Sequence, residues 1–149
     1  MLNDILTNLY ERDLNKLKTE IDMFPDEADL WKTKGDITNS AGNLCLHLIG
    51  NLRHFFGAVL GGTGYVRDRD SEFSTGGVSK TELLAGVDTA LADVLATLAG
   101  LTDDDFANTY PIEVFDRPLT TGAFLTHLAT HLNYHLGQIN YHRRMTSGS

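Results

Sequence analysis

Cysteine and basic residues are scarce in this sequence of 149 residues. The single cysteine, Cys45, cannot form an internal disulfide, which fits a protein of the reducing cytoplasm. Because Cys45 lies in an apolar run, we interpret it as a buried packing residue rather than a nucleophile. The 12 basic residues are outnumbered by 20 acidic ones, and the resulting net charge of −8 argues against binding to nucleic acids or membrane surfaces.

Long apolar runs are absent as well. No segment reaches the roughly 18 consecutive apolar residues that a membrane-spanning helix needs. Residues 1–9 mix acidic and apolar residues in an amphipathic rhythm, which is not typical of a signal peptide. We therefore expect a cytoplasmic protein without membrane or nucleic-acid partners. The length favours a single domain, residues 1–149, with a sizeable core.

Only 3 prolines occur, and none interrupts the four segments in which apolar residues recur at helical spacing. We predict these segments as helices: residues 3–23, 40–60, 79–100 and 121–144. Pro25 follows the first helix, Asn39 or Ser40 caps the second, and Thr120 caps the fourth. The first helix is predicted to bury one stripe: Ile5, Leu9, Leu14, Leu17 and Ile21.

Two long loops, residues 61–78 and 101–119, separate the predicted helices. The run Gly61-Gly62-Thr63-Gly64 ends a helix and no Lys-Ser/Thr pair follows it directly, so it is not a phosphate-binding loop. Residues 112–115 alternate like a short extended piece. The loop acids are interpreted as solvated surface charges, with a catalytic base as the alternative: Asp68, Asp70, Asp103, Asp104 and Asp105. Four amphipathic helices predict an all-α fold, a four-helix bundle with long crossover loops.

All 6 histidines fall on two helical stripes. An α-helix turns about 100° per residue, so residues three, four or seven apart share a face. Four histidines occupy one sector of the last predicted helix: His127, His131, His135 and His142. Two occupy one face of the second: His47 and His54. Burying several imidazoles is unfavourable unless each finds a partner, and a metal ion is such a partner.

Other residues of these sectors support a buried, partly polar seam. Polar amides lie beside the histidines on both helices: Asn43, Asn51 and Gln138. Leucines flank the histidines of the last helix on one side, and Tyr134 and Tyr141 flank them on the other. We therefore expect the histidine sector to face the interior, with the amides orienting ligands or substrate.

Reach limits which histidines can share an ion. Residues four apart on a helix can bind one ion, whereas residues seven apart are separated by about 10 Å along the axis. The last helix can therefore supply His131 with either His127 or His135, and the second helix can supply His47 or His54. Three histidines leave an open position for water or substrate, as in catalytic metal sites. Alternatively, the histidines hydrogen-bond to core carbonyls or to one another.

Residues 131–138, HLNYHLGQ, resemble the H-x-x-x-H-x-G-Q motif in the last helix of the DinB-like superfamily. Residues 46–48 resemble the segment that carries the first histidine of that superfamily. The order of long helices and loops is similar over nearly the whole chain. The basic residue that usually precedes the motif glycine is Leu136 in this chain.

The resemblance implies a homodimeric four-helix bundle with a divalent metal, zinc or nickel, bound by His47, His131 and His135. Some relatives are transferases or isomerases that use low-molecular-weight thiols. A long crossover would make the second and third helices parallel and place His54 near His127 rather than His142. Five residues are expected to orient the ligands or a small-molecule substrate: Asn43, Asn51, His54, His127 and Gln138.

Two functions are compatible with this pattern. The first is a metal-dependent enzyme, either a thiol-dependent transferase or a hydrolase-like enzyme. The alternative is a non-catalytic metal-binding or interaction bundle. No catalytic residue beyond the metal ligands is indicated by the sequence.

Overall fold

A computed structural model describes residues 1–147, and residues 148–149 of the predicted single domain lie outside the described part. Its helices are α1 (Leu2–Asp22), a 3₁₀ helix (Glu27–Trp31), α2 (Ala41–Leu52) with a π-helical continuation (Arg53–Leu60), α3 (Arg69–Ser74), α4 (Lys80–Ala99), α5 (Asp103–Ala107) and α6 (Thr121–Thr146). Within residues 1–147 there is no strand, only an isolated bridge between Thr109 and Thr120. The all-helical prediction is confirmed for this part. None of its helices has the length and apolarity to cross a membrane.

Side-chain caps fix where the helices begin. Ser40, Ser79 and Thr120 each accept a hydrogen bond from the backbone N–H three residues later. These bonds satisfy donors that the first turn of a helix leaves free. A further cap at Thr102, reciprocated by Asp105, starts the short helix α5 inside a predicted loop. Small caps of this kind explain why both long loops contain short helices.

The core face of α1 matches the predicted stripe in its second half only. Leu14, Leu17 and Ile21 are buried as predicted. In the first half Leu6 and Tyr10 are buried, whereas Ile5 is 50% exposed. The predicted Ile5 and Leu9 each precede a buried residue by one position, about 100° around the helix. Tyr10 fixes which face of α1 is buried, because its hydroxyl donates to the Leu125 carbonyl at 2.6 Å. An aromatic residue with a polar tip is thus part of this core.

Contacts between helix ends establish the directions of α1 and its neighbours. The Asn3 amide at the start of α1 donates to the Leu98 carbonyl at the end of α4, and Lys80 at the start of α4 donates to the Phe24 carbonyl. Helices α1 and α4 are therefore antiparallel. Arg143 near the end of α6 pairs with Glu20 near the end of α1, so α1 and α6 are parallel.

Helix α2 runs parallel to α4 and antiparallel to α6. Its π-helical continuation meets the later part of α4, since Arg53 pairs with Asp93. Phe55 packs on Phe124 of early α6 with ring centroids 5.0 Å apart, and His47 meets residues further along α6. The parallel arrangement of α2 and α4 agrees with the predicted crossover. Because α2 and α6 are antiparallel, His54 lies at the end of α6 that carries His127, away from His142.

The alternating residues 112–115 form bends rather than an extended piece. Ile112 and Phe115 are 42% and 44% exposed. An alternating pattern of four residues has no strand to pair with here, and a single unpaired strand is not stable. That prediction is therefore wrong.

Candidate metal centre

Three histidines from two antiparallel helices meet at one point. His47 comes from α2, and His131 and His135 are one turn apart on α6. The Nε2 atom of His131 lies 3.1 Å from Nε2 of His47 and 3.1 Å from Nε2 of His135. One ligand atom from each ring lies within 4.8 Å of the others, close enough to hold a metal ion.

The spacing of these nitrogens resembles that of ligands around a tetrahedral ion. Two nitrogens at 2.0–2.1 Å from an ion are about 3.4 Å apart at the tetrahedral angle. The observed 3.1 Å separations are close to this value. The triad, meaning His47, His131 and His135, is thus compact enough to share one small cation.

Hydrogen bonds on the outer side of the rings orient their inner nitrogens. His47 Nδ1 lies 3.0 Å from Glu72 Oε1, and His135 Nδ1 lies 2.7 Å from Gln138 Oε1. Because a carboxylate or amide oxygen accepts, each Nδ1 carries the proton and each inner Nε2 presents a lone pair. Lone pairs that face one another repel, so a cation between them is stabilising. The donor set therefore fits a divalent metal.

Burial favours the neutral, ligating form of two triad histidines, His131 and His135. The pKa of His131 is lowered to about 4, first by burial and then by the neighbouring His135 and His47. Burial likewise lowers the pKa of His135. A metal binds only the neutral imidazole, so few protons compete with it at these two rings near neutral pH.

Glu72 is a buried carboxylate that contacts His47 from α3. Arg67 donates to it twice, at 2.9 Å through Nε and at 2.9 Å through Nη2. Burial alone would raise the pKa of Glu72, but the hydrogen bonds from His47 and Arg67 outweigh it and the pKa is lowered. An ionised Glu72 is the acceptor that holds the proton on His47 Nδ1.

Gly50 on α2 has no side chain, and the Glu72 carboxylate occupies the space beside it. A Cβ atom at Gly50 would lie 1.8 Å from Glu72 Oε2. Gly50 lies one turn after His47, so the missing side chain opens the helix surface beside the ligand. Asn43, one turn before His47, donates to the carbonyls of Glu72 and Thr75 and anchors α3 against α2.

The other predicted residues take different positions. Gln138 contacts His135, and Asn51 is buried in a pocket beside His47 and His131. His54 is half-buried against Phe55, and burial and then Arg67 lower its pKa. His127 is exposed at the rim of the same pocket. Asn43 contacts α3 and Ser40, not a triad ring, among its hydrogen bonds.

His142 hydrogen-bonds to a backbone carbonyl, as in the alternative interpretation of the histidine pattern. Its Nε2 atom lies 2.7 Å from the Lys32 carbonyl, and the side chain is buried. It ties the end of α6 to the segment after the 3₁₀ helix. Tyr134 and Tyr141, expected to flank a buried sector, are 66% and 62% exposed. The interior therefore covers a narrower part of α6 than predicted.

The sequence pattern did not single out Glu72. This residue and Arg67 lie in the segment predicted as a loop, residues 61–78, and no spacing rule connects a loop residue to a helix face. The signal that was present is Gly50, a glycine inside a helix next to a candidate ligand, which often marks a close approach. Of the predicted loop acids, Asp68 is exposed and caps α3, and Asp105 is half-buried and completes the capping box of α5.

Cys45 is buried, as expected for a packing residue. Burial raises the pKa of its thiol to about 12, so the thiolate is not formed at neutral pH. Cys45 is therefore not a nucleophile of this centre.

These features define an all-helical protein with a candidate metal centre of three converging histidines. The chain belongs to the family described as "Protein of unknown function (DUF1572)", which it matches over residues 5–149. A search of curated proteins gives no match.

Proposed function

We propose that the triad binds a divalent metal ion, zinc or nickel, and that the protein is a small metal-dependent enzyme. One observation carries the proposal: three Nε2 atoms converge, and oxygen acceptors at two of the outer nitrogens turn their lone pairs inward. Three protein ligands leave at least one position for water or substrate. A purely structural zinc site would have four protein ligands.

The chemistry follows from the residues around the site. A divalent ion held there supplies a Lewis acid that lowers the pKa of a bound water or thiol. Glu72 holds the proton on His47 Nδ1 and so keeps Nε2 free to bind. Arg67 neutralises Glu72, which makes the buried carboxylate tolerable.

The reaction we propose is transfer of a low-molecular-weight thiol to an electrophile, with a hydrolase-like reaction of water as the second form. The DinB-like resemblance of residues 131–138 supports thiol chemistry. It also supports a four-helix bundle of α1, α2, α4 and α6 with a long crossover. The parallel directions of α2 and α4 are in keeping with that arrangement.

An assay of thiol transfer tests the enzyme. Zinc- or nickel-loaded protein is mixed with L-cysteine and a chromogenic aryl chloride, so that a sulfur–carbon bond forms, chloride leaves and the thiol proton passes to the buffer. We expect turnover that His47→Ala abolishes. Equal rates for wild type and His47→Ala would contradict the proposal. Metal binding without transfer or ester hydrolysis would favour the alternative, a non-catalytic metal-binding protein.

We also propose a homodimer located in the cytoplasm. Three exposed side chains on one face of α6 support self-association: Tyr134, Tyr141 and Met145. Light scattering should give a dimeric mass, and Tyr141→Glu should give a monomer. Thr89→Glu, at an exposed position on α4, is the control and should stay dimeric. A monomeric wild type would contradict this assembly.

A further inference from the structure

A second feature beside the triad is a pocket of about 240 Å³ lined by two arginines, Arg67 of the loop after α2 and Arg69 of α3. We call it the arginine pocket, after Arg67 and Arg69. His47 and His131 form its floor, and aromatic rings form its walls, including Phe55, Phe115 and Phe124. The pocket therefore opens onto the candidate metal centre.

The charge of this pocket is opposite to that of the protein. The chain carries a net charge of −8, yet no carboxylate lines the pocket among the described residues. Asp68 lines a separate pocket and caps α3. Glu72 neutralises Arg67 through two hydrogen bonds. Arg69 is left as the cation of the rim, stacked on Phe73 with Cζ 5.4 Å from the ring centroid.

A different pocket, of about 440 Å³, reaches the triad at His135. His135 and Gln138 line it together with the acidic side chain of Asp36. The two pockets thus reach different rings of the triad, His47 and His131 on the arginine side and His135 on the other, and their charged side chains have opposite sign. An anion is attracted to the arginine side and repelled from the other, and a bound divalent ion would strengthen that attraction.

We infer that the arginine pocket binds a small organic anion with an aromatic or apolar body, its charged group at Arg69 and its body between the phenylalanine rings beside the triad. This inference deepens the proposed function, because it names the chemical class of the substrate. A guanidinium recognises carboxylate and phosphate alike. The apolar walls distinguish such a ligand from inorganic phosphate.

Binding of three related probes tests the inference: benzoate, phenyl phosphate and benzyl alcohol. The probes share a ring and differ in charge. Amide NMR titrations are made with metal-free and with zinc-loaded full-length protein. We expect both anions to bind more tightly than benzyl alcohol and to shift resonances of α3 and early α6. The ratio of the two anion affinities tells a carboxylate substrate from a phosphate one.

Arg69→Gln and Arg144→Gln form a matched pair of variants. Each removes one positive charge, and each arginine is exposed and stacked on one aromatic ring. Arg67 is unsuitable because its loss would also disturb Glu72. We expect Arg69→Gln to weaken benzoate binding about fivefold in the metal-free protein, the effect of one exposed ion pair. Arg144→Gln should leave it unchanged.

Three results would overturn the inference: no measurable binding of either anion, equal binding of benzyl alcohol, or equal weakening by both variants. The metal proposal is judged separately by zinc binding. Benzoate binding that depends on Arg69 without zinc binding would leave the arginine pocket standing and remove the metal centre. Zinc binding together with unchanged benzoate binding in Arg69→Gln would support the metal centre and overturn the arginine pocket.

Discussion

At the scale of single residues, the outer nitrogens of the triad decide whether the inner ones can bind a metal. His47 and His135 have oxygen acceptors at Nδ1, whereas Nδ1 of His131 is buried and has no partner among residues 1–147. Asn51 Oδ1, in the pocket beside it, is also buried and unpartnered.

Replacement of Glu72 tests this role of the outer contacts. Glu72→Gln removes the charge that holds the proton on His47 Nδ1 and breaks the ion pair with Arg67. We expect zinc affinity, measured by competition with a chromophoric chelator, to fall about 10- to 100-fold. Asp70→Asn removes an exposed carboxylate of the same short helix and should change nothing. Equal affinities for wild type and Glu72→Gln would show that the carboxylate has no positioning role.

The stability of the metal-free protein should depend on pH through His131 and His135. The pKa of His131 is lowered from 6.5 to about 4 in the folded protein. Between these values the unfolded chain binds a proton that the folded protein does not, so the free energy of unfolding falls as pH falls from about 6.5 to about 4. Burial lowers the pKa of His135 in the same direction.

Urea unfolding at a series of pH values measures this effect. His131→Phe should flatten the decline below pH 6.5, because its side chain cannot titrate. A decline that is equally steep in the variant would place the responsible group elsewhere.

At the scale of helices, two glycines illustrate what a sequence pattern can and cannot show. Gly50 lies against Glu72, whereas a Cβ at Gly137 of α6 would meet no atom within 4 Å. Alanine at an interior helix position is favoured over glycine by up to about 1 kcal/mol when space allows. The two positions look alike in the sequence and differ only in their neighbours.

The alanine variants should therefore behave in opposite ways. Gly137→Ala should raise the free energy of unfolding by about 0.5–1 kcal/mol and keep zinc affinity. Gly50→Ala should displace Glu72, lower the stability and weaken zinc binding. Urea unfolding and chelator competition measure both quantities. A stabilised Gly50→Ala variant with full zinc affinity would mean that Glu72 does not need this space.

Much of the helical framework could be predicted from sequence. Caps such as Ser79 and the periodic apolar residues gave the long helices to within about two residues. The i,i+4 pair His131 and His135 could be predicted because the helix itself sets their spacing. Glu72 could not, because its contact with α2 depends on how a loop folds back. Helix spacing alone left open whether His127 or His135 is the partner of His131; the resemblance implied His135, and the position of α2 brings that ring close to His47.

At the scale of the whole molecule, the triad joins α2 to α6 across the interior. A ligand that binds only the folded protein stabilises it by about 2.7 kcal/mol when its free concentration is 100 times its Kd. For a domain of this size we expect zinc to raise Tm by roughly 5–10 °C at that concentration. A chelator should reverse the rise, and His131→Ala should show none. An equal rise in that variant would indicate binding elsewhere.

The X-ray absorption spectrum of the zinc-loaded protein, purified without a nickel column, tests the central claim most directly. We predict one zinc ion per chain with three imidazole nitrogens at about 2.0–2.1 Å and at least one further light-atom ligand. A protein that retains no zinc, or a zinc ion without a shell of three histidines, would contradict the account.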